Sequence, residues 1–195
     1  IKEKNFYMAY INNLGQVRIG VRGWVAAQSG ASASVTDSDA TAFVTAAGIT
    51  DSTQISALNT LVTDLKTYGL WTKMKALYPF VGGSAASHKF NLKDPRDLDA
   101  AYRLVFNGGW VHSSTGALPN GTTAFADTKL NATILTKSST HLSFYSKTNN
   151  PTIASTGRVD IGCQIGALTS MFMGISDYGG YNVSMYVNSG NYISS

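Results

Sequence analysis

The groups in this chain that could do chemistry are three histidines, one cysteine, eleven acidic residues and a scatter of tyrosines and tryptophans. His88, His112 and His141 fall in separate stretches with no HxH or HExxH spacing, so a zinc or hydrolase site would need a convergence the sequence does not show. Each is expected in a turn or at the surface. Cys163 lies in the apolar run VDIGCQIGAL and reads as a buried structural thiol. Being the only cysteine, it excludes an intrachain disulfide framework and a cysteine-based zinc site. Asp94, Asp97 and Asp99 in KDPRDLDAAYRL invite comparison with a calcium loop, but no Gly stands at the sixth position and no Glu closes it. They read better as a turn at Asp94-Pro95 and as helix N-terminal residues at Asp97 or Asp99. Glu3 is the only glutamate, so a glycosidase carboxylate pair would have to come from scattered aspartates. No GxSxG, P-loop or GxGxxG motif occurs. No catalytic residue, metal ligand or cofactor is assigned.

The aromatic side chains are more suggestive. Trp110, His112, Tyr145, Tyr178, Tyr181, Tyr186 and Tyr192 sit in or beside turn sequences. Amphipathic rings at loop tips give carbohydrate and protein recognition a large contact area at low entropic cost. Trp110, His112, Tyr178 and Tyr181 are therefore candidate glycan or receptor contacts. Packing in a β core is the alternative for each ring, and both stay open for the Tyr178–Tyr181 turn.

The elements that must position these groups follow from periodicity. Residues 9–25 carry a turn signal at Asn12–Gly15, then strict alternation: Val17, Ile19 and Val21 against Arg18, Gly20 and Arg22. This predicts a strand or small hairpin with one apolar and one basic face, followed by a small-residue linker over 26–35. Thr36 or Asp37 can cap a helix through Ala40, Phe43, Val44 and Ala47, stopped by Gly48. Asp51 and Gln54 resemble a capping box, and the helix behind them sets Ile55, Leu58, Leu61, Val62 and Leu65 on one face, ending at Gly69. A further turn or two, WTKMKALYP, is closed by Pro79. From about residue 103 short apolar stretches alternate with Asn, Gly and Ser turns: RLVFNGGWVH, AFADTKLNATIL, HLSFYSK, GRVDIGCQIGA, TSMFMGIS and YNVSMYVNSG. Asn149-Asn150-Pro151 and Tyr178–Tyr181 are the clearest turns between them. That spacing predicts an antiparallel sandwich or barrel.

The bulk numbers agree. Hydrophobic residues make up 44% of 195 and charged residues 13%, about half the usual charged share, with Ser, Thr, Asn and Gly in their place. The net charge of +4 is scattered; Lys2, Lys4, Arg18 and Arg22 against Glu3 form the nearest thing to a basic segment, too sparse for a nucleic-acid footprint. No run reaches membrane-spanning length, and IKEKNFYMAYINN lacks the apolar core of a signal peptide. Either translation starts at Met8 or the chain is processed at Ile1. About five or six strand candidates follow residue 100, where a sandwich uses about seven. So other chains complete the sheet, or the sequence belongs to a longer polypeptide.

The segments WTKMKALYPFVGG, HKFNLKDPRDLDAA and HSSTGALPNGT carry a resemblance to a module of tailed-bacteriophage virion and tail proteins, especially in phages of Bacteroidetes-type hosts. Similar AYINNLGQVRIGVR openings occur there, and the likeness spans roughly residues 9–147. The resemblance implies a concanavalin- or laminin-G-like β-sandwich read as a fibre, spike or host-surface-binding part. No residue-level site carries over with it. The expected fold is α+β, mainly β: an N-terminal strand or arm (1–35), a short helical hairpin (36–80), then an antiparallel β-sandwich (81–195) of jelly-roll or laminin-G type that is incomplete in this chain. The expected role is a virion structural protein of tail, fibre or spike, located in the extracellular particle, whose sandwich adheres to host glycan. Arg18, Arg22 and Trp24 are the candidates for docking on the particle. The partners are other virion proteins and further copies of the chain, a trimer among the options, with no specific nucleic acid and no membrane span. A virion-associated polysaccharide depolymerase is the first alternative and a capsid decoration or cement protein the second.

Overall fold

The computed structural model describes residues 9–11, 17–19, 35–135, 140–147, 160–165, 169–175, 183–187 and 192–194. The first two stretches form β1 (Ala9–Ile11) and β2 (Val17–Ile19), an antiparallel pair with Tyr10 opposite Arg18. The alternation read at residues 17–19 thus sits in the expected hairpin.

A helical hairpin follows. Helix α1 (Ser38–Ala47) starts at Asp37, whose carboxylate accepts the Asp39 and Ala40 N–H groups at 2.9 and 3.4 Å. It stops at Gly48, which takes the left-handed φ of 62° while Ile49 N–H reaches back to the Val44 carbonyl at 3.0 Å. Helix α2 (Ser52–Thr67) starts at Asp51, which accepts the Gln54 N–H at 2.8 Å. The expected capping box is only half made there: the Gln54 side-chain oxygen accepts the Gly82 N–H at 3.0 Å instead. The helices share one apolar seam, Ala40, Phe43 and Ala47 against Leu58, Val62 and Leu65. Each large side chain buried there is worth about 2 kcal/mol. Polar contacts fix the angle between the helices. Asn59 Oδ1 accepts the Thr36 and Asp37 N–H groups at 3.0 Å each, and Lys66 bridges Asp37 and Asp39 at 2.8 and 2.6 Å.

The same core continues beyond residue 80. Trp71, in a short 3-10 turn (Trp71–Lys73), is buried with the Lys93 and Lys66 ammonium groups 4.4 and 5.7 Å from its ring centre. Residues 74–81 form an irregular stretch in which Phe80 takes a left-handed φ of 52°. A reciprocal Ser84–Ser87 capping box then starts the one-turn helix α3 (Ala85–His88). Phe90 and Leu92 close the core from the far side. Between them Asn91, 0% exposed, spends its amide on four backbone groups: it accepts from Leu77 and Lys93 N–H (2.9 and 3.0 Å) and donates to the Lys75 and Ala101 carbonyls (3.3 and 3.0 Å). A second 3-10 turn (Asp99–Ala101) has Leu98 at its N-cap and no side-chain cap; Asp99 stands in its first turn, the helix N-terminal place expected for Asp97 or Asp99.

The strands that follow are nested. β3 (Val105–Asn107) pairs antiparallel with β6 (Phe125–Asp127), and between them β4 (Trp110–Ser113) pairs with β5 (Gly116–Pro119). The base of the inner hairpin is tight: the Asn120 N–H donates to the Gly109 carbonyl at 2.9 Å. A Cβ on Gly108, at φ 74°, would stand 2.3 Å from the Thr123 carbonyl oxygen. Residues 140–147 belong to no strand among the described residues, with Leu142 and Phe144 half-buried and Ser143 and Tyr145 exposed. HLSFYSK is thus not the strand that was expected, although its alternation of faces is present.

The last sheet is a four-stranded antiparallel meander of β7 (Ile161–Ile165), β8 (Thr169–Ile175), β9 (Val183–Val187) and β10 (Tyr192–Ser194), with β7 and β10 outermost. Phe172, Tyr186 and Tyr192 stand opposite one another in register across three strands. Cys163 is half-buried in β7, opposite Met171 and less enclosed than expected. The described fold is therefore mixed: helices and antiparallel strands, the strands in three two-stranded sheets and one of four. Among the described residues no helix is long and apolar enough to cross a membrane.

Candidate functional site

Among the described residues, reactive and recognition-type side chains meet most densely where α3 touches β4. Period-two geometry puts Trp110 and His112 on one face of β4 and Val111 on the other. Phe106 comes from β3, Phe80 from the loop before α3, and His88 from the end of α3. The His88 ring is 1% exposed, and its Nδ1 lies 2.9 Å from Nδ1 of His112. Phe80 meets His88 edge-on at 5.5 Å between ring centres. Phe106 meets His112 at 4.6 Å and Trp110 at 5.3 Å, both edge-on, and Trp110 stacks on His112 at 6.2 Å with 25° between planes. The Trp110 indole N–H donates to the Asn107 carbonyl at 3.0 Å, which pins the ring and leaves it half-buried.

The histidine expectation needs correction at this point. His88 is buried, not a surface or turn residue, and two of the three histidines converge. Their contact has a strict chemical requirement: one Nδ1 carries a proton and donates, the other accepts, so at least one ring is neutral. Burial pushes the His88 ring down to about 4, with the charge of His112 adding to the effect. His88 Nε2 is buried with no hydrogen-bond partner among the described residues. Only these two histidines meet here, and among the described residues no three His, Cys, Asp or Glu side chains gather as a metal site would require.

The aspartates that resembled a metal loop are engaged with cations. Asp97 takes Lys89 and Arg103 at 2.5 and 2.8 Å, Asp99 takes Arg103 at 2.9 Å, and Asp94 holds Arg96 through two bonds of 2.7 and 2.5 Å. Lys89 first and Arg103 second keep Asp97 below the usual carboxylate range, and Arg96 does the same for Asp94. A general acid needs the opposite shift. The turn expected at Asp94 is present, its N–H bonded to the Asn91 carbonyl at 3.1 Å.

Of the candidate contacts, Trp110 and His112 are brought together. Tyr178 and Tyr181 lie outside the described residues, as do Arg22, Trp24 and the Asn149–Pro151 turn. Arg18 is placed in β2 by its backbone. Tyr145 and His141 are exposed on the segment 140–147. Sequence reasoning missed the part of His88, Phe80 and Phe106 in this cluster. The W-V-H alternation in RLVFNGGWVH could have paired Trp110 with His112, but no local signal links either to His88. The outer face of the same hairpin is apolar and open: Val111 and Leu118, directly opposite each other, are 65% and 54% exposed. Compared with known protein families, with characterised proteins and with solved structures, the chain matches none.

Proposed function

We propose that this chain is a structural protein of a tailed-phage particle, a component of tail, fibre or spike that carries a β-rich part adhering to host-surface glycan. The observation that carries the reading is where the resemblance-bearing segments sit. WTKMKALYPFVGG meets HKFNLKDPRDLDAA through Asn91 and the Leu77 N–H, and HKFNLKDPRDLDAA meets HSSTGALPNGT through His88 and His112. The three blocks form one interlocked joint, which supports reading them together as one module. Cation-paired aspartates around that joint favour a scaffold over a hydrolase.

In this reading the β7–β10 meander is one layer of the sandwich, and β1–β2, with Arg18, Arg22 and Trp24, docks on the particle. Neighbouring copies, three in a fibre, complete the open edges of β7 and β10 by strand addition. Localising the chain in intact particles by cryo-electron microscopy, with binding of the purified chain to host cells and a glycan array, tests it. The expected result is density in the tail and binding lost on Tyr178→Ala with Tyr181→Ala. Density on the capsid surface with no host binding would replace the reading with a decoration protein. Release of reducing ends from host polysaccharide would replace it with a depolymerase.

A further inference from the structure

We propose that the His88–His112 contact is a proton-operated latch that holds the β4–β5 hairpin on the helical core and releases it when both rings are protonated. The hairpin is otherwise lightly attached. Its two strands pair only with each other among the described residues, so no ladder ties it to β3 or β6. Its base is fixed by the Asn120–Gly109 hydrogen bond. At its tip the backbone of Ser113 and Ser114 passes close to Gly83 (φ 78°), and Lys147 Nζ reaches the Thr115 carbonyl at a long 3.3 Å. What joins its inner face to α3 is the 2.9 Å Nδ1–Nδ1 bond, with Phe106 and Trp110 packed around His112.

That bond depends on protonation. Two neutral rings form it, and one added proton strengthens it by making the donor cationic. A second proton puts N–H on both nitrogens, two donors and two like charges in hydrogen-bond contact, and the bond cannot exist. The surroundings offer little to offset that charge. Phe80 covers one side of His88; His112 is the titratable group whose charge acts on it; Lys89, its neighbour in the chain, is turned to Asp97. Backbone strain points the same way: Phe80 takes a left-handed φ of 52°, which a bulky side chain holds only under packing, and its ring packs on His88. Release would uncover the faces of Trp110, Phe106 and Phe80, turning a covered aromatic cluster into a surface. The latch stands independently of the virion reading.

Opening lets His88 take up a proton at its ordinary value of 6.5 and not at about 4, so the opening constant rises about tenfold per pH unit across that window and about a hundredfold overall. Hydrogen exchange on the full chain from pH 7 to 4, corrected for intrinsic rates, reads this directly. Protection over residues 110–119 is expected to lie below that of 52–67 at pH 7, as a local opening requires, and to fall about a hundredfold toward pH 4. Equal protection of the two regions across the range, or no fall over 110–119, would overturn the latch. His88→Phe removes the proton site and should leave hairpin protection independent of pH; a preserved acid fall in that variant would also overturn it. Should His88→Phe not fold, nitrogen NMR of the imidazoles in the unaltered chain decides: His88 protonating near 4, coupled to His112, is expected, and a His88 ring titrating at its ordinary 6.5 would sink the proposal.

Discussion

Asn91 shows how much a single buried amide can organise. Its four backbone partners come from three separate stretches, at Lys75 and Leu77, at Lys93 and at Ala101. Removing the amide leaves these N–H and C=O groups without their partner, the buried Ala101 carbonyl among them. Asn91→Ala should therefore cost about 3–5 kcal/mol, and Asn91→Leu, which restores volume but no polar atoms, nearly as much. Urea denaturation of both variants measures this; a loss near 1 kcal/mol in Asn91→Leu would mean the stranded groups find other partners. His88 adds a pH dependence with a definite sign. Its folded value is depressed, so between pH 6.5 and about 4 the unfolded chain binds the extra proton, and stability falls as pH falls through that window. The full shift is worth about 3 kcal/mol. The paired carboxylates Asp94, Asp97 and Asp127, lowered from 3.8, act below this window: the stability they lend is present throughout it, above 3.8, and is lost as they protonate at lower pH. Denaturation midpoints at pH 7, 5.5 and 4 should show the histidine step, and His88→Phe should flatten it. Neither role is legible in the sequence. HKFNL marks Asn91 and His88 only as polar residues near turns, and all hydrogen-bond partners of their side chains but Lys93 lie 10 to 24 positions away.

Elements were legible where their causes are local. The caps and apolar stripes of α1 and α2 need only a four-residue window, and Asp37, Gly48, Asp51 and the Leu58–Val62–Leu65 face stand where the pattern puts them. Strands were less legible because pairing is not a property of one segment. HLSFYSK alternates and buries alternate residues, yet forms no ladder; GALP, with a Gly and a Pro and no alternation, becomes β5 because the turn at Ser114-Thr115 folds it onto β4. Period two predicts which side faces the protein, not whether a partner strand lies alongside. The cap of α1 gives the test at this scale. Asp37 both caps the helix and receives Lys66 from α2, so Asp37→Ala removes an intrahelical and an interhelical tie together. The expected loss is about 1–2 kcal/mol, with Asp37→Asn, which keeps the cap and drops the charge, losing less than half of that. Thermal unfolding by circular dichroism separates the two; equal losses would assign the whole effect to the ion pair.

At the scale of the molecule, burial is unevenly distributed, and this decides what can fold alone. Every buried side chain in the described part lies between Ala40 and Leu104, and the helical hairpin shares its core with Trp71, Phe90 and Leu92. Residues 36–80 are thus half of a core whose other half follows them, which the change of pattern near residue 80 had concealed: helical periodicity ends there, but the apolar contacts continue through turns. The nested strands β3–β6 close on that unit, with Tyr78 donating its hydroxyl to the Tyr102 carbonyl just before β3. A piece of about 100 residues with a continuous apolar core, in which His88 Nε2 is the one buried side-chain polar atom without a partner among the described residues, meets the requirements of an independent folding unit. A fragment of residues 35–135 should therefore unfold cooperatively, with a midpoint within a few degrees of the first transition of the full chain. Scanning calorimetry with a dispersed amide NMR spectrum checks this. A broad, non-cooperative melt would mean that the core between Ala40 and Leu104 is held together by the β7–β10 sheet, and that the helices and the meander are one cooperative structure.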